Sequence, residues 1–120
     1  MSFRIAAREA MKSDFKQHRL GAVIVKGKRI LSTGFNKYGY DSFSKKSTVH
    51  AEANAVLKLL KQRRLADLVG SEIYVTRYTP GGRVGLARPC DDCLRLIHAV
   101  GISKIHYTTN TGETVSESIN

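Results

Sequence analysis

The hydrophobic positions of the N-terminal half switch from a helical to an extended pattern. Residues 3–11 place Phe3 and three alanines on one face at helical spacing, which predicts a helix. Residues 20–25 form a short, continuous apolar run that is β-branched toward its end, which predicts a buried strand. A Lys-Gly-Lys turn leads into a returning strand at residues 29–35, so the two strands are predicted to form an antiparallel hairpin. The polar segment 36–48 is predicted to be a loop.

The C-terminal half alternates between helical and extended patterns. Residues 51–63 carry an apolar stripe at helical spacing and predict a helix, and residues 73–77 predict a strand. Residues 78–88 contain one proline and three glycines, which predicts a flexible loop. The last helix is predicted over residues 89–101, since it begins with a proline and ends at a glycine. Residues 102–108 predict a further strand.

The predicted elements follow the order α-β-β-α-β-α-β. Two strands that are joined through a helix run parallel with a right-handed crossover, whereas the opening hairpin is antiparallel. The chain is therefore predicted to form a mixed sheet between helices, as one α/β domain over residues 1–120. Residues 109–120 are mostly polar, and residues 115–119 either add an edge strand or fray.

Charge is unevenly distributed along the chain, whose formal net charge is +10. Residues 1–64 carry 15 lysines and arginines against 4 acidic residues, whereas residues 65–120 carry 5 against 6. A basic half indicates an anionic partner, either a nucleotide phosphate or a nucleic-acid backbone, although a solvated basic surface explains it equally well. No run approaches the ~18 apolar residues of a membrane span, so no membrane partner is expected.

Two short motifs carry the candidate chemistry: His-Ala-Glu at residues 50–52 and Pro-Cys-Asp-Asp-Cys at residues 89–93. An imidazole and two thiolates are zinc ligands, and three protein ligands leave a fourth position for water, as in catalytic zinc sites. Cys90 and Cys93 lie one turn apart at a helix start, where the helix dipole favours the thiolate. Glu52 then remains available to move a proton between that water and a substrate.

Each motif alone has simpler explanations. A lone C-x-x-C is often a redox pair or half of a structural zinc site, and His98 extends the spacing toward that of a zinc knuckle. The knuckle's last ligand position holds Ser103, so His98 is predicted to lie on the helix surface or in the core. His18 and His106 belong to no motif and are predicted to be structural or surface residues. Because both cysteines lie in one motif rather than in a spread disulfide framework, a reducing cytoplasm is the expected location.

In this order, the two motifs resemble the H-x-E and P-C-x-x-C signature of the zinc-dependent base deaminases. From about residue 20 to residue 107 the chain resembles the cytidine deaminase-like superfamily. The resemblance implies a three-layer α/β/α fold around a mixed five-stranded sheet. Besides the two motifs, the matching segments are GAVIV at 21–25, GFN at 34–36, HAEANA at 50–55 and YVT at 74–76.

The resemblance also implies a site. Zinc is expected to be the cofactor, and a carboxylate is expected to shuttle the proton. The substrate is expected to be contacted by an asparagine near the ribose or base and by backbone at the base edge. The implied residues are His50, Cys90 and Cys93 as zinc ligands, Glu52 as the catalytic residue, and Asn36 and Ala51 as substrate contacts.

Within the superfamily, the stretch HAEANAV and the G-F-N segment look most like deoxycytidylate deaminases and their small relatives. Transfer-RNA adenosine deaminases usually have glutamate before the Pro-Cys pair and deoxycytidylate deaminases commonly have serine, but here Arg88 stands at that position. The glycine-rich insert 81–86 also departs from the shortest forms of both. We interpret the insert as a substrate-gating loop, with Arg77, Arg83 or Arg88 contacting phosphate. A surface loop without function is the alternative.

Three functional hypotheses follow. The first is zinc-dependent hydrolytic deamination of a cytosine ring in a free nucleoside or nucleotide, with release of ammonia. The second is the same chemistry on a cytosine or adenine within RNA or single-stranded DNA, and it is motivated by the basic half of the chain. The third is a zinc-structured nucleic-acid-binding module without catalysis. By analogy with relatives, a homo-oligomer is also expected, in which a neighbouring subunit can complete the pocket.

Overall fold

A computed structural model describes residues 2–14, 18–38 and 48–119 of the chain. None of the helices in these ranges is long and apolar enough to cross a membrane. The helices are α1 (Ser2–Ala10), α2 (Ala51–Lys61), α3 (Leu65–Leu68) and α4 (Asp91–Ala99). The strands are β1 (Arg19–Lys26), β2 (Arg29–Phe35), β3 (Lys37–Tyr38), β4 (Thr48–Val49), β5 (Glu72–Tyr78), β6 (Val84–Gly85), β7 (Lys104–Thr108) and β8 (Thr114–Ser118).

A mixed sheet forms the centre of the fold, and five of its strands follow the order β2-β1-β5-β7-β8. β1 pairs antiparallel with both β2 and β5, β5 pairs parallel with β7, and β7 pairs antiparallel with β8. The predicted hairpin and the parallel pair joined through a helix are therefore confirmed. The short strand β6 pairs with the end of β5 and adds a sixth strand to the five expected.

Helices cover both faces of the sheet because the side chains of β1 alternate between two apolar layers. Val23 packs in a small cluster with Ala6 of α1. Ile24 belongs to the larger cluster, together with Leu59 of α2 and Ile97 of α4. All five side chains are fully buried, and burying a large aliphatic side chain contributes about 1.5–3 kcal/mol. The layers confirm the predicted α/β/α class.

Two glycines bring helices into close contact with the sheet. A Cβ at Gly21 of β1 would overlap the carbonyl oxygen of Ala6 in α1. A Cβ at Gly34 of β2 would lie 2.5 Å from the carbonyl oxygen of Ala51 and 2.6 Å from the amide nitrogen of Ala55, both in α2. Because the atoms in contact are backbone atoms, any larger residue would displace the helix. The first turn of α2, which carries part of the first motif, is therefore set directly against β2.

The boundaries differ from the predictions in α4, in α2 and in the loop 36–48. α4 begins at Asp91, with Cys90 as its N-cap, and ends at Ala99, instead of spanning residues 89–101. α2 ends at Lys61 instead of residue 63, since Arg63 adopts a left-handed backbone with φ of 56°, and the short helix α3 follows. The predicted loop 36–48 contains a strand pair, in which β3 pairs antiparallel with β4. The rest of that predicted loop, residues 39–47, lies outside the described residues.

Strand pairing orders the predicted loop 78–88, and it decides between the two alternatives for the tail, an edge strand or fraying. The predicted loop 78–88 forms a hairpin in which β6 pairs with β5, and the Thr79 N–H donates to the Arg83 carbonyl at 2.8 Å across its turn. The tail forms the edge strand β8 instead of fraying, because Val115 and Ile119 pack against the larger core. The hairpin therefore lies at the carboxyl end of β5, whereas β8 starts at the carboxyl end of β7 and runs back to its amino end.

Candidate active site

Two helix N-termini at one end of the sheet carry the two motifs. His50 is the N-cap residue of α2 and Cys90 is the N-cap residue of α4. Both have an extended backbone, and neither side chain makes a capping hydrogen bond. Cys93 lies in the first turn of α4. Because the N-terminus of a helix favours negative charge, both helices favour thiolates and carboxylates at this point.

The three ligand residues come together with the spacing of a zinc site. His50, Cys90 and Cys93 each offer one ligand atom, and these atoms all lie within 4.8 Å of one another. The Nδ1 atom of His50 lies 3.2 Å from the Sγ atom of Cys93 and 3.6 Å from that of Cys90. A tetrahedral zinc ion with ordinary Zn–N and Zn–S bonds separates such atoms by roughly 3.6 Å. Three protein ligands are the number found in catalytic zinc sites.

The carboxylate beside these ligands is buried and incompletely paired. Glu52 is 2% exposed, and its Oε1 atom has no hydrogen-bond partner among the described residues. Burial raises the pKa of Glu52 and outweighs the lowering by a backbone hydrogen bond and by His50. Burial also raises the pKa of the Cys93 thiol, and the adjacent Glu52 carboxylate adds to the effect. A divalent cation would offset both effects, so this donor set fits zinc.

A cavity of about 390 Å³ opens beside the ligands, within the size range of small-molecule sites. The lining residues at the starts of α2 and α4 are called the metal side. Five further lining residues are called the rim: His18, Asn36, Arg77, Leu86 and Arg88. The complete lining is His18, Leu20, Asn36, His50, Ala51, Glu52, Arg77, Leu86, Arg88 and Cys90.

Arg77 and His18 form a fixed polar pair on the rim. Arg77 Nη2 donates to His18 Nδ1 at 2.6 Å, and Arg77 Nη1 donates to the Leu86 carbonyl at 3.3 Å. The Nε atom of Arg77 is buried and has no hydrogen-bond partner in the described part of the chain. The guanidinium is therefore held at the cavity. The sequence predicts that His18 is a structural or surface residue, and no motif marks it as part of a site. Its contact with Arg77 depends on the pairing of β1 with β5.

Asn36 lines the cavity, but its amide is largely engaged by the backbone. Its Oδ1 atom accepts from the Leu20 N–H at 2.8 Å, and its Nδ2 atom donates to the His18 carbonyl at 2.6 Å. Asn36 is 4% exposed. It therefore holds the chain that leads into β1, and with it His18, against the cavity.

The remaining predicted substrate contacts divide into two groups. Ala51 and Arg88 line the cavity, Ala51 fully buried and Arg88 paired with Glu117. Arg83 lies on the turn between β5 and β6 and is not among the residues that line the cavity. The structure therefore brings Arg77 and Arg88, but not Arg83, to the site.

Comparison with known proteins identifies the family. Residues 1–109 match the family model described as the cytidine and deoxycytidylate deaminase zinc-binding region. This chain belongs to the cytidine and deoxycytidylate deaminase family. It is accordingly a zinc-dependent deaminase, a hydrolase, and its cofactor is zinc. Membership in a family of deaminases argues against the third hypothesis, a module without catalysis.

Individual relatives of this deaminase agree with the assignment. It is 32% identical to a deoxycytidylate deaminase of Mycobacterium phage D29, over 86% of this chain and 88% of the relative. It also resembles the structure of a dCMP deaminase from the cyanophage S-TIM5, with 27% identity and a TM-score of 0.69 over 90% of this chain and 79% of that one. A cytidine deaminase from Burkholderia pseudomallei has a TM-score of 0.73 over 98% and 90% of the two chains, but at 19% identity it shows the fold alone.

The other histidines of the deaminase lie outside the ligand cluster. His98 is exposed on α4 and does not belong to the cluster, which leaves no support for a knuckle. His106 bonds Ser116 at 2.6 Å and Glu72 at 2.7 Å, and its ring stacks on Tyr74 with centroids 4.1 Å apart. These surroundings confirm that His98 lies on the surface and that His106 is structural.

Proposed function

We propose that this protein deaminates the cytosine ring of a free nucleotide of the deoxycytidylate type and releases ammonia. The observation that carries the proposal is the convergence of His50, Cys90 and Cys93, within 4.8 Å, beside the buried carboxylate of Glu52. His50, Cys90 and Cys93 hold the zinc ion in this proposal. When bound there, zinc supplies a water molecule acidic enough to be deprotonated near neutral pH.

The proton transfers are assigned to Glu52. Its carboxylate takes a proton from the attacking water and gives it to N3 of the cytosine as the water oxygen bonds to C4. It then takes the proton of the new C4 hydroxyl and gives it to the amino group, so that the C4–N bond breaks, the C4 carbonyl of uracil forms and ammonia leaves. The overall balance is one water consumed and one ammonia released. The unpartnered Oε1 atom of Glu52 and its position in the cavity lining support this role. The backbone at Ala51, in the same lining, is suited to contact the edge of the base.

The rim supports a phosphorylated substrate. Arg77 and Arg88 both line the cavity, and His18 lies beside Arg77. Arginine presents a planar set of donors that matches the oxygens of a phosphate. Two arginines that line a cavity of about 390 Å³ therefore favour a nucleotide over an uncharged nucleoside.

The relatives are consistent with this substrate class. The phage D29 relative bears the name deoxycytidylate deaminase. A second structure of the cyanophage S-TIM5 enzyme, 25% identical to this chain with a TM-score of 0.68, contains dCMP and dUMP. These names and ligands belong to those proteins and make the same substrate class the first to test here.

The test is ammonia release from a substrate panel. Zinc-loaded protein is incubated with deoxycytidine, deoxycytidylate, the triphosphate and short oligonucleotides, with adenine and guanine nucleotides as controls. We expect deoxycytidylate to have the highest kcat/KM. Removing zinc with a chelator should abolish ammonia release, and added zinc should restore it. Metal-free protein that turns over at the original rate would contradict the proposal.

A second candidate substrate is a base within single-stranded nucleic acid, and one surface feature favours it. A groove of about 600 Å³ beside α1 is lined by Arg4, Arg8, Arg19 and Tyr78, and no acidic residue lines it. None of these arginines forms an ion pair with a described residue. Arginines beside an aromatic ring suit a phosphodiester backbone with stacked bases.

The groove is tested by the salt dependence of oligonucleotide binding. If it binds a single strand, Arg8→Gln and Arg19→Gln should each weaken binding and reduce the slope of log K against log salt by about 1 or less. Lys61→Gln, on the exposed side of α2, is the matched control. Salt-insensitive turnover of a free nucleotide, together with no activity on oligonucleotides, would contradict this candidate. Assembly as a homo-oligomer and a cytoplasmic location stay predictions.

A further inference from the structure

Arg88 is held at the cavity by a residue from the far end of the chain. Its Nε atom donates to Glu117 Oε2 at 2.9 Å, and its Nη2 atom donates to Glu117 Oε1 at 3.4 Å. Two parallel hydrogen bonds of this kind fix the plane of a guanidinium. The pair with Glu117 uses two of its five N–H groups, which leaves others for a ligand.

Glu117 is itself fixed from the core. The Tyr107 hydroxyl donates to Glu117 Oε2 at 2.6 Å, and Tyr107 is 6% exposed within β7. The hydrogen bond from Arg88 lowers the pKa of Glu117, and the one from Tyr107 lowers it further. The carboxylate is therefore ionised under ordinary conditions, and the three side chains form a connected network from the core to the cavity.

Glu117 occupies an inward-facing position on the edge strand β8. Its neighbours at alternate positions, Val115 and Ile119, pack against the larger hydrophobic core. An inward-pointing charge on an edge strand generally protects against edge-to-edge aggregation, and this protection needs no specific partner. Here, however, the carboxylate makes two bonds to the residue that precedes the Pro-Cys pair and lines the cavity.

β8 lies beyond residues 1–109, which match the family model. Arg88 likewise stands where the sequence departs from the serine or glutamate expected before the Pro-Cys pair. The Arg88–Glu117 pair thus joins the residue before the Pro-Cys pair to β8, 29 residues away in sequence.

We propose that Glu117 and Tyr107 are positioning residues that orient Arg88 on the rim, where Arg88 binds the phosphate of the nucleotide and sets the preference for a nucleotide over a nucleoside. The inference rests on the proposed function, since it concerns the substrate of the same cavity. Glu117 acts through Arg88 and does not itself touch the substrate.

The test compares kcat and KM for deoxycytidylate and deoxycytidine in four variants: Arg88→Ala, Glu117→Gln, Tyr107→Phe and the Arg88→Ala/Glu117→Gln double variant. Losing a charged hydrogen bond to phosphate should raise the KM for deoxycytidylate by about tenfold or more in Arg88→Ala. Glu117→Gln should raise it several-fold and Tyr107→Phe by less. The KM for deoxycytidine and kcat should change little in each. The double variant should match Arg88→Ala, because Glu117 has no effect without Arg88.

Glu113→Gln is the matched control, since it removes the same charge from an exposed position four residues away. The positioning role is overturned if Glu117→Gln affects nucleotide and nucleoside equally, if its effect adds to that of Arg88→Ala, or if it leaves the KM for deoxycytidylate unchanged. A lower KM for deoxycytidylate in Glu117→Gln also overturns it, because the carboxylate would then repel the phosphate more than it orients Arg88.

A separate measurement distinguishes this failure from failure of the proposed function. Glu52→Gln is added to the parent and to each variant so that substrate is bound but not turned over. Calorimetry then measures the Kd for deoxycytidylate and for deoxycytidine in each protein. Parent protein that deaminates neither compound contradicts the proposed function, and the binding data then decide the role of Glu117 alone. Parent protein that deaminates deoxycytidylate while Glu117→Gln binds it as the parent does overturns only the inference about Glu117.

Discussion

The metal side and the rim of the cavity are assembled in different ways. On the metal side, every functional group comes from the first turn or the N-cap of a helix, and two motifs of three and five residues supply them all. On the rim, His18, Asn36, Arg77 and Arg88 come from four separate segments and are held by contacts across the sheet. The metal side is thus determined locally and the rim by tertiary structure.

The difference separates chemistry from specificity. A helix start fixes the direction of the side chains in its first turn, so a short motif is enough to aim ligands at one ion. A rim built from four segments can change one residue, such as Arg88, without disturbing the ligands. Changes on the metal side should therefore affect kcat for all substrates, whereas changes on the rim should affect the ranking of substrates.

The largest expected effect is on the metal side. Glu52→Gln keeps the shape of the side chain but removes the group that moves the proton, so kcat should fall by about 10²–10⁴-fold for nucleotide and nucleoside alike. Ammonia release measures the effect, and elemental analysis of the purified variant should still find one zinc ion per chain. Glu52→Ala should also fold and hold zinc. Activity within tenfold of the parent would mean that Glu52 does not have this role.

A change at Gly34 tests the support of the metal side. In Gly34→Ala, the new Cβ would lie 2.5 Å from the Ala51 carbonyl oxygen and 2.6 Å from the Ala55 amide nitrogen. The start of α2 must then move away from β2, which should lower the free energy of unfolding by about 1–3 kcal/mol. Because His50 and Glu52 lie at that helix start, kcat should fall for every substrate.

Gly81→Ala is the matched control, because nothing lies within 4 Å of a Cβ at Gly81. Chemical denaturation and steady-state kinetics measure both variants. Equal stability and equal kcat in the two variants would show that the close approach of β2 and α2 does not hold the metal side in place.

The same contrast explains what the sequence could predict. The hairpin, the parallel strand pair and the helix starts at His50 and Cys90 follow from local periodicity and from residues 89–93. The convergence of His50 with Cys90 and Cys93 was predicted from the resemblance of the two motifs to the base-deaminase signature, and no local pattern gives their distance.

The rim could be predicted only in part. Arg77 and Arg88 were candidates because they flank the glycine-rich insert, and Arg83 because it lies within it. Arg83 is on the turn of the β5–β6 hairpin and does not line the cavity. His18 and Glu117 were missed, since His18 meets Arg77 through the pairing of β1 with β5 and Glu117 meets Arg88 across 29 residues of sequence. Side chains that meet through such long-range contacts leave no spacing signal in a single sequence.

The next expected effect is on the rim. Arg77→Gln removes the positive charge of a guanidinium that lines the cavity and whose Nε atom is buried. The KM for deoxycytidylate should therefore rise by about ten- to a hundredfold. The KM for deoxycytidine should change much less. Steady-state kinetics on both substrates measures the difference between the two changes in KM.

Arg83→Gln is the matched control, because it removes the same charge from the adjacent turn, outside the cavity lining, and should leave both KM values unchanged. An equal effect of the two variants would mean that the rim attracts substrate only through overall charge.

The smallest expected effect concerns α3, away from both the metal side and the rim. The hydrogen bond from Arg64, with Nε 2.8 Å from Asp67 Oδ2, lowers the pKa of Asp67 in the folded protein. The pair therefore stabilises the fold above the unfolded-state pKa of about 3.8, and this contribution is lost as the pH falls through the folded-state pKa. Asp67→Asn should lower the free energy of unfolding slightly at pH 7, and the difference from the parent should shrink in acid. Urea denaturation at several pH values measures it. Since Asp67 does not line the cavity, kcat and KM should match those of the parent. A change in either would show that the ion pair on α3 influences the active site.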